Sequence, residues 1–539
     1  MMQHTEIIGL DEWLSLPKVL HSLKNQDPEI MPLIEAYPDK ASIAASAARQ
    51  ISFEHRAVLS KVLMEQYAQT TNKAPALQQI EKLKQVTTST VTSGQQLCFA
   101  GGPLMVFIKA AQTIALAKHL EHVHGLQVVP VFWMASEDHD LAEAATMSLF
   151  GKTYTTDSSA AKNLIPVGKL DVADCSSLLE TLSDPALRIP APIVDMVKAC
   201  YAPHKTYAEA FRELMHRIFG TEGLLVLDAD DARLKRIFLP QIKQELTAQV
   251  SFHAVEETCY SEKYGQFIGK GNMQATPRSI NLFYIRDGKR LRIEKTENGF
   301  KDELGGVYNF QEMMDEVDEH PERFSPGVLL RPLYQECILP NLAYVGGRAE
   351  MMYWLQLGTL FRKMSMHMPF LILRNSLFLL KEHQWLRWKE KGFAPKDIFL
   401  GREDIEKKYA TLVSEGFSVE DAQAKITAIY ASLIQRVSEI DASLTGMAEA
   451  EKTKHLTALK QLETRVMRAV KQKEETGLRQ VLKIKDHLFP NGAMMERSEA
   501  GILYAEDGMS HLIDLHKEHL SPFGFGAVLV VEGVEKNDS

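Results

Sequence analysis

A chain of 539 residues, 45% hydrophobic and 24% charged, is long enough for two or three domains with a sizeable core, and this balance excludes an intrinsically disordered protein. The formal net charge of -9 gives no general attraction for nucleic acid or anionic membrane, and no apolar run approaches the roughly 20 residues that span a bilayer. The start lacks a basic segment followed by a long apolar core, and the five cysteines form neither a CxxC pair nor a metal-ligand spacing, so the expectation is a cytoplasmic protein with reduced thiols that binds neither nucleic acid nor membrane.

Residues 1–85 read as a mostly helical segment packed on a core, with Leu59, Val62, Leu63 and Tyr67 marking one amphipathic stretch and Leu77, Ile80 and Leu83 another. The core's first part is expected over residues 86–240. It opens with a β-branched strand at residues 86–92, cut off by Ser93-Gly94-Gln95-Gln96 and Ala100-Gly101-Gly102-Pro103. Leu104, Phe107, Ile108, Ala111, Ile114 and Ala115 then recur at helical spacing to about His122, and a second apolar run at residues 128–135 ends in Ser136-Glu137-Asp138-His139-Asp140. A parallel pair joined by a helix puts both polar loops on one sheet edge, where open α/β folds bind ligands. Backbone N–H groups around Gly94, Gly101 and Gly102 suit an anion, and Ser93, Gln95 and Gln96 add neutral hydrogen bonds, but a tight turn explains the glycines equally well and the spacing matches no nucleotide fingerprint.

Glu137, Asp138, His139 and Asp140 form the candidate catalytic cluster. His139 suits a general base, since flanking carboxylates raise a histidine's proton affinity, while Asp138 and Asp140 could orient a substrate or bind Mg²⁺; the competing reading is a hydrogen-bonded cap at a strand-helix junction. With no second His or Cys nearby, no zinc site is assigned. Cys98 in the glycine-rich loop is read as a space-filling residue rather than a nucleophile.

A helix over residues 207–219 leads into a buried strand at residues 224–227, after which Asp230 or Asp231 caps a helix over residues 232–238. Residues 241–324 read as an inserted connecting segment whose hairpin turns at Asp287-Gly288, made basic by Arg278, Arg286, Arg290 and Arg292: a solvated face by default, or a clamp over an anionic substrate. The core resumes over residues 325–385, where Ala343-Tyr344-Val345 runs into Gly346-Gly347, a helix and the strand Phe370-Leu371-Ile372-Leu373, repeating the opening unit so that both glycines border the crevice. Arg331 and Arg374 suit a carboxylate or phosphate, or else a structural ion pair. Lys363-Met364-Ser365-Met366-His367 resembles the lysine-serine signature of nucleotidylyl transferases but lacks its last lysine. Residues 386–490 are expected to be an α-helical coiled-coil domain: Ile426, Tyr430, Leu433, Val437, Ile440, Leu444 and Met447 step by four and three, and Leu456, Leu459, Leu462, Val466, Ala469 and Val470 carry a second pattern. Asp441 to Gly446 is either a hairpin tip or part of a continuous helix. Residues 448–485 hold ten Lys/Arg against five Asp/Glu, and the tail, residues 491–539, adds a strand at 527–531.

Three sets of residues carry a family resemblance: Thr92-Ser93-Gly94-Gln95-Gln96 with Gly102-Pro103-Leu104; Pro130-Val131-Phe132-Trp133 running into Ser136-Glu137-Asp138-His139-Asp140; and the later Phe324-Ser325-Pro326, Leu330-Arg331-Pro332, Ala343-Tyr344-Val345-Gly346-Gly347 and Leu488-Phe489-Pro490-Asn491-Gly492. Nearly end to end, the chain resembles the BshC family, the cysteine-adding enzymes of bacillithiol biosynthesis; Ser93 stands where that family usually has threonine. The resemblance implies an α/β fold with a Rossmann-like parallel-sheet core, inserted connecting segments, a C-terminal coiled coil and a homodimer. It further implies a ligase that joins the carboxyl of L-cysteine to the amine of glucosaminyl malate. Chemistry then asks for an activated carboxyl, with ATP as the expected activator, ADP or AMP as its product and Mg²⁺ as a possible companion. Two rivals remain open at this stage: a nucleotidylyl transferase or hydrolase using the same crevice, and a non-catalytic dimeric scaffold built on the coiled coil.

Overall fold

Alternation of apolar side chains decides how the core is layered. In the computed structural model, which describes residues 5–50, 53–156, 164–202, 205–269, 271–414, 417–505 and 509–533, the central strands are β1 (Thr88–Gln95), β2 (Gln127–Met134), β3 (Leu225–Asp228), β4 (Asn341–Gly346) and β5 (Phe370–Leu373). All pair in parallel, in the order β5-β4-β1-β2-β3. Val129, Val131, Trp133, Leu225 and Leu227 face one hydrophobic layer, and Val91, Val128, Leu342, Val345 and Ile372 face the other, so helices cover both sides of a Rossmann-like sheet. Strand order reverses at β1: the chain steps to β2 and β3 on one side and returns to β4 and β5 on the other. The carboxyl ends of β1 and β4 therefore diverge into loops on opposite faces, leaving a crevice between them.

The expected opening unit is present, with helix α1 at Leu104–His124 between β1 and β2. It is buried over most of its length and ends at Gly125, whose φ of 66° gives the left-handed cap. Asp231, not Asp230, caps α2 (Ala232–Ile237), accepting from the Arg233 amide at 2.9 Å. Residues 5–85 are helical as read, apart from the strand Thr5–Gly9, which sequence reasoning missed.

The segment after α2 contains more than the expected hairpin. Leu282–Arg286 and Lys289–Thr296 pair across Asp287 and Gly288, both at positive φ, as the turn chemistry requires. Gly299–Asp302 and Val307–Asn309 extend the meander on one edge and Phe324–Pro326 on the other, making a five-stranded antiparallel sheet. Two further helices bear on the site: α3 (Arg331–Ile338) and α4 (Arg348–Leu355), the latter starting immediately beyond β4. The single helix expected between Gly347 and the Phe370 strand is two, because α4 stops before Gly358–Lys363 begins.

Contact density divides the chain into two units, one of Leu14–Phe378 with Met495–Val528, the other chiefly Leu379–Met494. The second holds the long helices α5 (Glu420–Ile440), α6 (Thr445–Lys473) and α7 (Glu475–Leu488). Here the structure decides for the hairpin: Asp441 caps a single 3₁₀ turn, Ala442–Leu444, and α6 runs back along α5 with the Tyr430 hydroxyl 2.9 Å from His455 Nδ1. The side chain of Val470 lies outside the described residues. The strand expected in the tail is Ala527–Glu532.

Candidate functional site

The loops that close β1 and β2 are tied to each other before any ligand is considered. Ala135 N–H donates to Gln95 O at 3.0 Å, and Gln96 Nε2 donates to Asp138 Oδ2 at 2.6 Å. Asp138 Oδ1 accepts from the His139 amide at 2.8 Å and from Arg290 NH1 at 3.2 Å, so this carboxylate joins β1, β2 and the inserted meander. Asp140 turns outward to cap Leu141–Ala144, accepting from the Glu143 amide at 3.1 Å. Glu137 runs beneath the loop, where Lys235 Nζ lies 2.6 Å from both Glu137 and Asp230. Burial raises the proton affinity of Glu137, while the two carboxylates around Lys235 keep that ammonium charged.

One crevice of about 1070 Å³ opens at these strand ends. Of the residues expected from sequence, Gly94, Gln95, Gln96, Glu137, Asp138, His139, Arg331, Gly347 and Arg374 line it. Ser93, Gly101, Gly102, Asp140 and Gly346 do not. A Cβ at Gly101 would lie 2.5 Å from the Phe107 ring and one at Gly102 2.6 Å from Cys98 Cβ, and both residues sit at positive φ. These two glycines therefore let the loop fold onto the start of α1 instead of cradling an anion. Gly346 is packed against Met351 and Tyr344, and Ser93 is fully buried with no hydrogen-bond partner for its Oγ among the described residues. Burial pushes the Cys98 thiol up to about 12, which fits the space-filling reading. Lys363 pairs with Glu257 and His367 with Glu35, and neither lines the crevice.

Several lining residues were not picked out from the sequence. Lys109 on α1 is 1% exposed and donates to Gly94 O at 3.0 Å and Gln95 Oε1 at 2.8 Å, with Glu350 of α4 as its third partner. That carboxylate also accepts from Tyr344 Oη at 2.6 Å and from the Gly347 amide at 2.8 Å. Burial lowers the proton affinity of Lys109, and its charge keeps Glu350 ionised against burial. A single charge inside the apolar stretch of residues 104–117 was the available signal for Lys109. Arg497 had no such signal.

Nine Lys and Arg against five Asp and Glu make the lining cationic in a chain of net charge -9. Arg331 lies between the rings of Trp133, Tyr344 and Trp354, 5.3 to 5.9 Å from their centroids, and donates to Gln335 Oε1 at 3.0 Å. Arg374 is pinned by buried Glu496 at 2.7 Å and by Asn375 O at 3.0 Å, yet its Nε has no partner among the described residues. Gly347 leaves the space beside that Nε open, since a Cβ there would lie 3.9 Å away. Arg348 NH2 is likewise buried without a partner among the described residues. Burial, repulsion from Arg374 and repulsion from Arg497 lower the proton affinity of Arg348, with Glu496 opposing them. Two guanidinium groups with N–H groups that lack partners among the described residues thus line the crevice near the α4 N-terminus, an arrangement that suits an anion.

His139 departs from the sequence argument. Burial and the positive charge of Arg290 lower its proton affinity, outweighing the Asp138 carboxylate that was expected to raise it. Among the described residues no group of three or more His, Cys, Asp and Glu is placed to hold a metal ion, and no helix is long and apolar enough to cross a membrane.

A parallel sheet with a cationic crevice at its switch point defines a ligand-binding α/β protein of Rossmann-like type. The family model for "Bacillithiol biosynthesis BshC, N-terminal Rossmann-like domain" matches residues 2–375, and that for "Bacillithiol biosynthesis BshC, C-terminal coiled-coil domain" matches residues 377–531. A relative from Cytophaga hutchinsonii named "Putative cysteine ligase BshC" is 35% identical, covering 96% of this chain and 97% of its own. Relatives of the same name from Flavobacterium johnsoniae and Bacillus thuringiensis are 32% and 28% identical, covering 94% and 78% of this chain and 95% and 80% of theirs. The chain belongs to the BshC family.

Proposed function

We propose that this protein is a cysteine ligase of bacillithiol biosynthesis that forms an amide between the carboxyl of L-cysteine and the amine of glucosaminyl malate in the crevice between β1 and β4. The observation that carries this reading is the cationic lining with guanidinium N–H groups on Arg348 and Arg374 that have no partner among the described residues, which suits two anionic substrates, one bearing two malyl carboxylates and the other a phosphate-activated carboxyl. ATP is the proposed activator, with Mg²⁺ travelling on its phosphates, because amide formation from a free carboxylate otherwise releases water against an unfavourable equilibrium.

Cysteine's carboxylate oxygen attacks a phosphorus of ATP, giving an acyl-phosphate with ADP or an acyl-adenylate with pyrophosphate. The amine lone pair then adds to the acyl carbon, the phosphate or AMP leaves with the bonding electrons, and the amine proton passes to Glu143. That carboxyl lines the crevice, and burial, Asp140 and Asp138 raise its proton affinity, which suits a base near neutral pH. The enzyme acts as a cytoplasmic homodimer through the α5–α6 hairpin, and no disulfide joins its cysteines among the described residues.

The experiment is reconstitution. Purified protein, L-cysteine, glucosaminyl malate, ATP and Mg²⁺ are incubated, and bacillithiol and the nucleotide product are followed by mass spectrometry. ATP-dependent bacillithiol is expected, with Arg348→Ala lowering kcat/KM roughly 100-fold or more through loss of a charge-assisted contact. Nucleotide cleavage without amide formation would point to a transferase or hydrolase instead.

A further inference from the structure

Arg290 makes five contacts from one buried side chain. Its Nε donates to Ser325 Oγ at 2.9 Å, NH2 to Pro326 O at 3.1 Å, and NH1 to both Asp138 Oδ1 and His139 Nδ1 at 3.2 Å, while its guanidinium lies 3.7 Å over the Phe283 ring. Phe283 also packs on the His139 ring at a centroid distance of 5.8 Å, so the imidazole is held from two sides. A guanidinium has donors and no acceptor. His139 Nδ1 must therefore accept, and a neutral imidazole that accepts at Nδ1 carries its proton on Nε2.

We propose that Arg290 is a positioning residue that locks His139 as an Nε2–H donor, and that His139 serves the ligase by hydrogen-bonding the acyl oxygen of activated cysteine instead of accepting a proton. The inference deepens the ligase reading and rests on it for the identity of that oxygen. As the amine lone pair forms the C–N bond, the C=O electron pair moves onto oxygen, where Nε2–H meets it. The pair returns as the phosphate or AMP leaves with its own bonding electrons, and the amine proton goes to Glu143. Protonating Nδ1 would break the Arg290 bond and set two cations side by side, and a tautomer flip would leave Nδ1–H with Asp138 Oδ1 3.8 Å away as its alternative acceptor. No other partner for Nε2 is recorded among the described residues, and the ring lines the crevice.

The test has two arms. Protein labelled with ¹⁵N-histidine is read by long-range ¹H–¹⁵N NMR, with His139→Gln assigning the His139 signals by difference. The expected wild-type spectrum at pH 7.5 shows His139 protonated on Nε2 and bare on Nδ1, and Arg290→Met shifts the tautomer balance and raises the His139 titration midpoint; a wild-type Nδ1–H overturns the proposal. The wild-type measurement stands even if the Arg290 variant fails to fold, and it needs no turnover. In the reconstituted reaction, His139→Ala loses roughly 100- to 1000-fold in kcat, the range for removing one such donor, whereas His139→Gln, which keeps a terminal N–H, recovers at least ~10-fold of it. Equal losses in both variants mean that His139 works as a base and overturn the donor role. Failure of the wild type to make bacillithiol under any condition rejects the ligase reading alone and leaves the NMR result to judge Arg290.

Discussion

Lys109 shows how one side chain organises the crevice. Its ammonium spends its three protons on Gly94 O, Gln95 Oε1 and Glu350, so it ties the β1 loop to α4 and is not available to a ligand. Replacing it with Met would leave Glu350 buried beside Tyr344 without its counter-charge. We expect Lys109→Met to cost about 3–5 kcal/mol in urea unfolding, with Lys109→Met/Glu350→Gln recovering part of the loss; a double variant no more stable than the single one would show that the pair is not coupled. Gly102 poses the opposite question, since the sequence allowed it to be an anion cradle. Its φ of 79° and the 2.6 Å approach that a Cβ would make to Cys98 Cβ assign it to backbone geometry. Gly102→Ala should lower stability by roughly 1–3 kcal/mol while the folded fraction keeps the wild-type affinity for the proposed activator ATP in calorimetry; weakened binding at unchanged stability would restore the cradle.

At the scale of elements, legibility followed periodicity. β1, α1, β2 and β5 were readable because β-branched runs, helical spacing and glycine punctuation all agree over residues 88–134 and 370–373. The meander strands Gly299–Asp302 and Val307–Asn309 were not: they are short, half-polar and held by pairing rather than by pattern. The site was half legible for the same reason. Loop residues after β1 and β2 announce themselves, whereas Arg348 and Arg497 become site residues only once the fold brings α4 and the stretch after Met495 to the crevice. The helix Ser510–Glu518, which packs on α1, carries a testable charge. His516 is 1% exposed, donates from Nδ1 to Leu512 O at 2.6 Å, and has its pKa pushed down to about 4 by burial. The unfolded chain therefore takes this proton first: the stability is fully present above pH ~6.5 and drains as pH falls toward 4, by about 3 kcal/mol in all. His516→Gln keeps a donor and cannot charge, so its melting temperature should fall less steeply than that of wild type between pH 6.5 and 4; parallel slopes would locate acid sensitivity elsewhere.

For the whole molecule, the coiled-coil hairpin raises the question of what covers it. On α5, Ile426, Tyr430 and Val437 are half-buried, whereas Leu433 and Ile440 are exposed, as are Leu444 in the turn and Met447 at the start of α6, Ile440 at 85% and Met447 at 61%. Ile429 and Leu462 are further exposed apolar side chains of the hairpin. An α5 seam that α6 covers only in part, beside exposed apolar side chains at the hairpin tip, is what a second copy of the same hairpin would complete, since a two-fold axis presents identical patches to each other. The proposed homodimer is thus expected to show twice the chain mass by light scattering, and Ile440→Glu with Met447→Glu is expected to yield a monomer. Both side chains are exposed within a single chain, so the charges leave the hairpin's own packing untouched and the monomer should keep its helical circular dichroism. A double variant that still runs as a dimer would place the interface elsewhere. If monomers retain bacillithiol formation, the crevice of one chain is sufficient for catalysis; if they lose it while staying folded, assembly is part of the active enzyme.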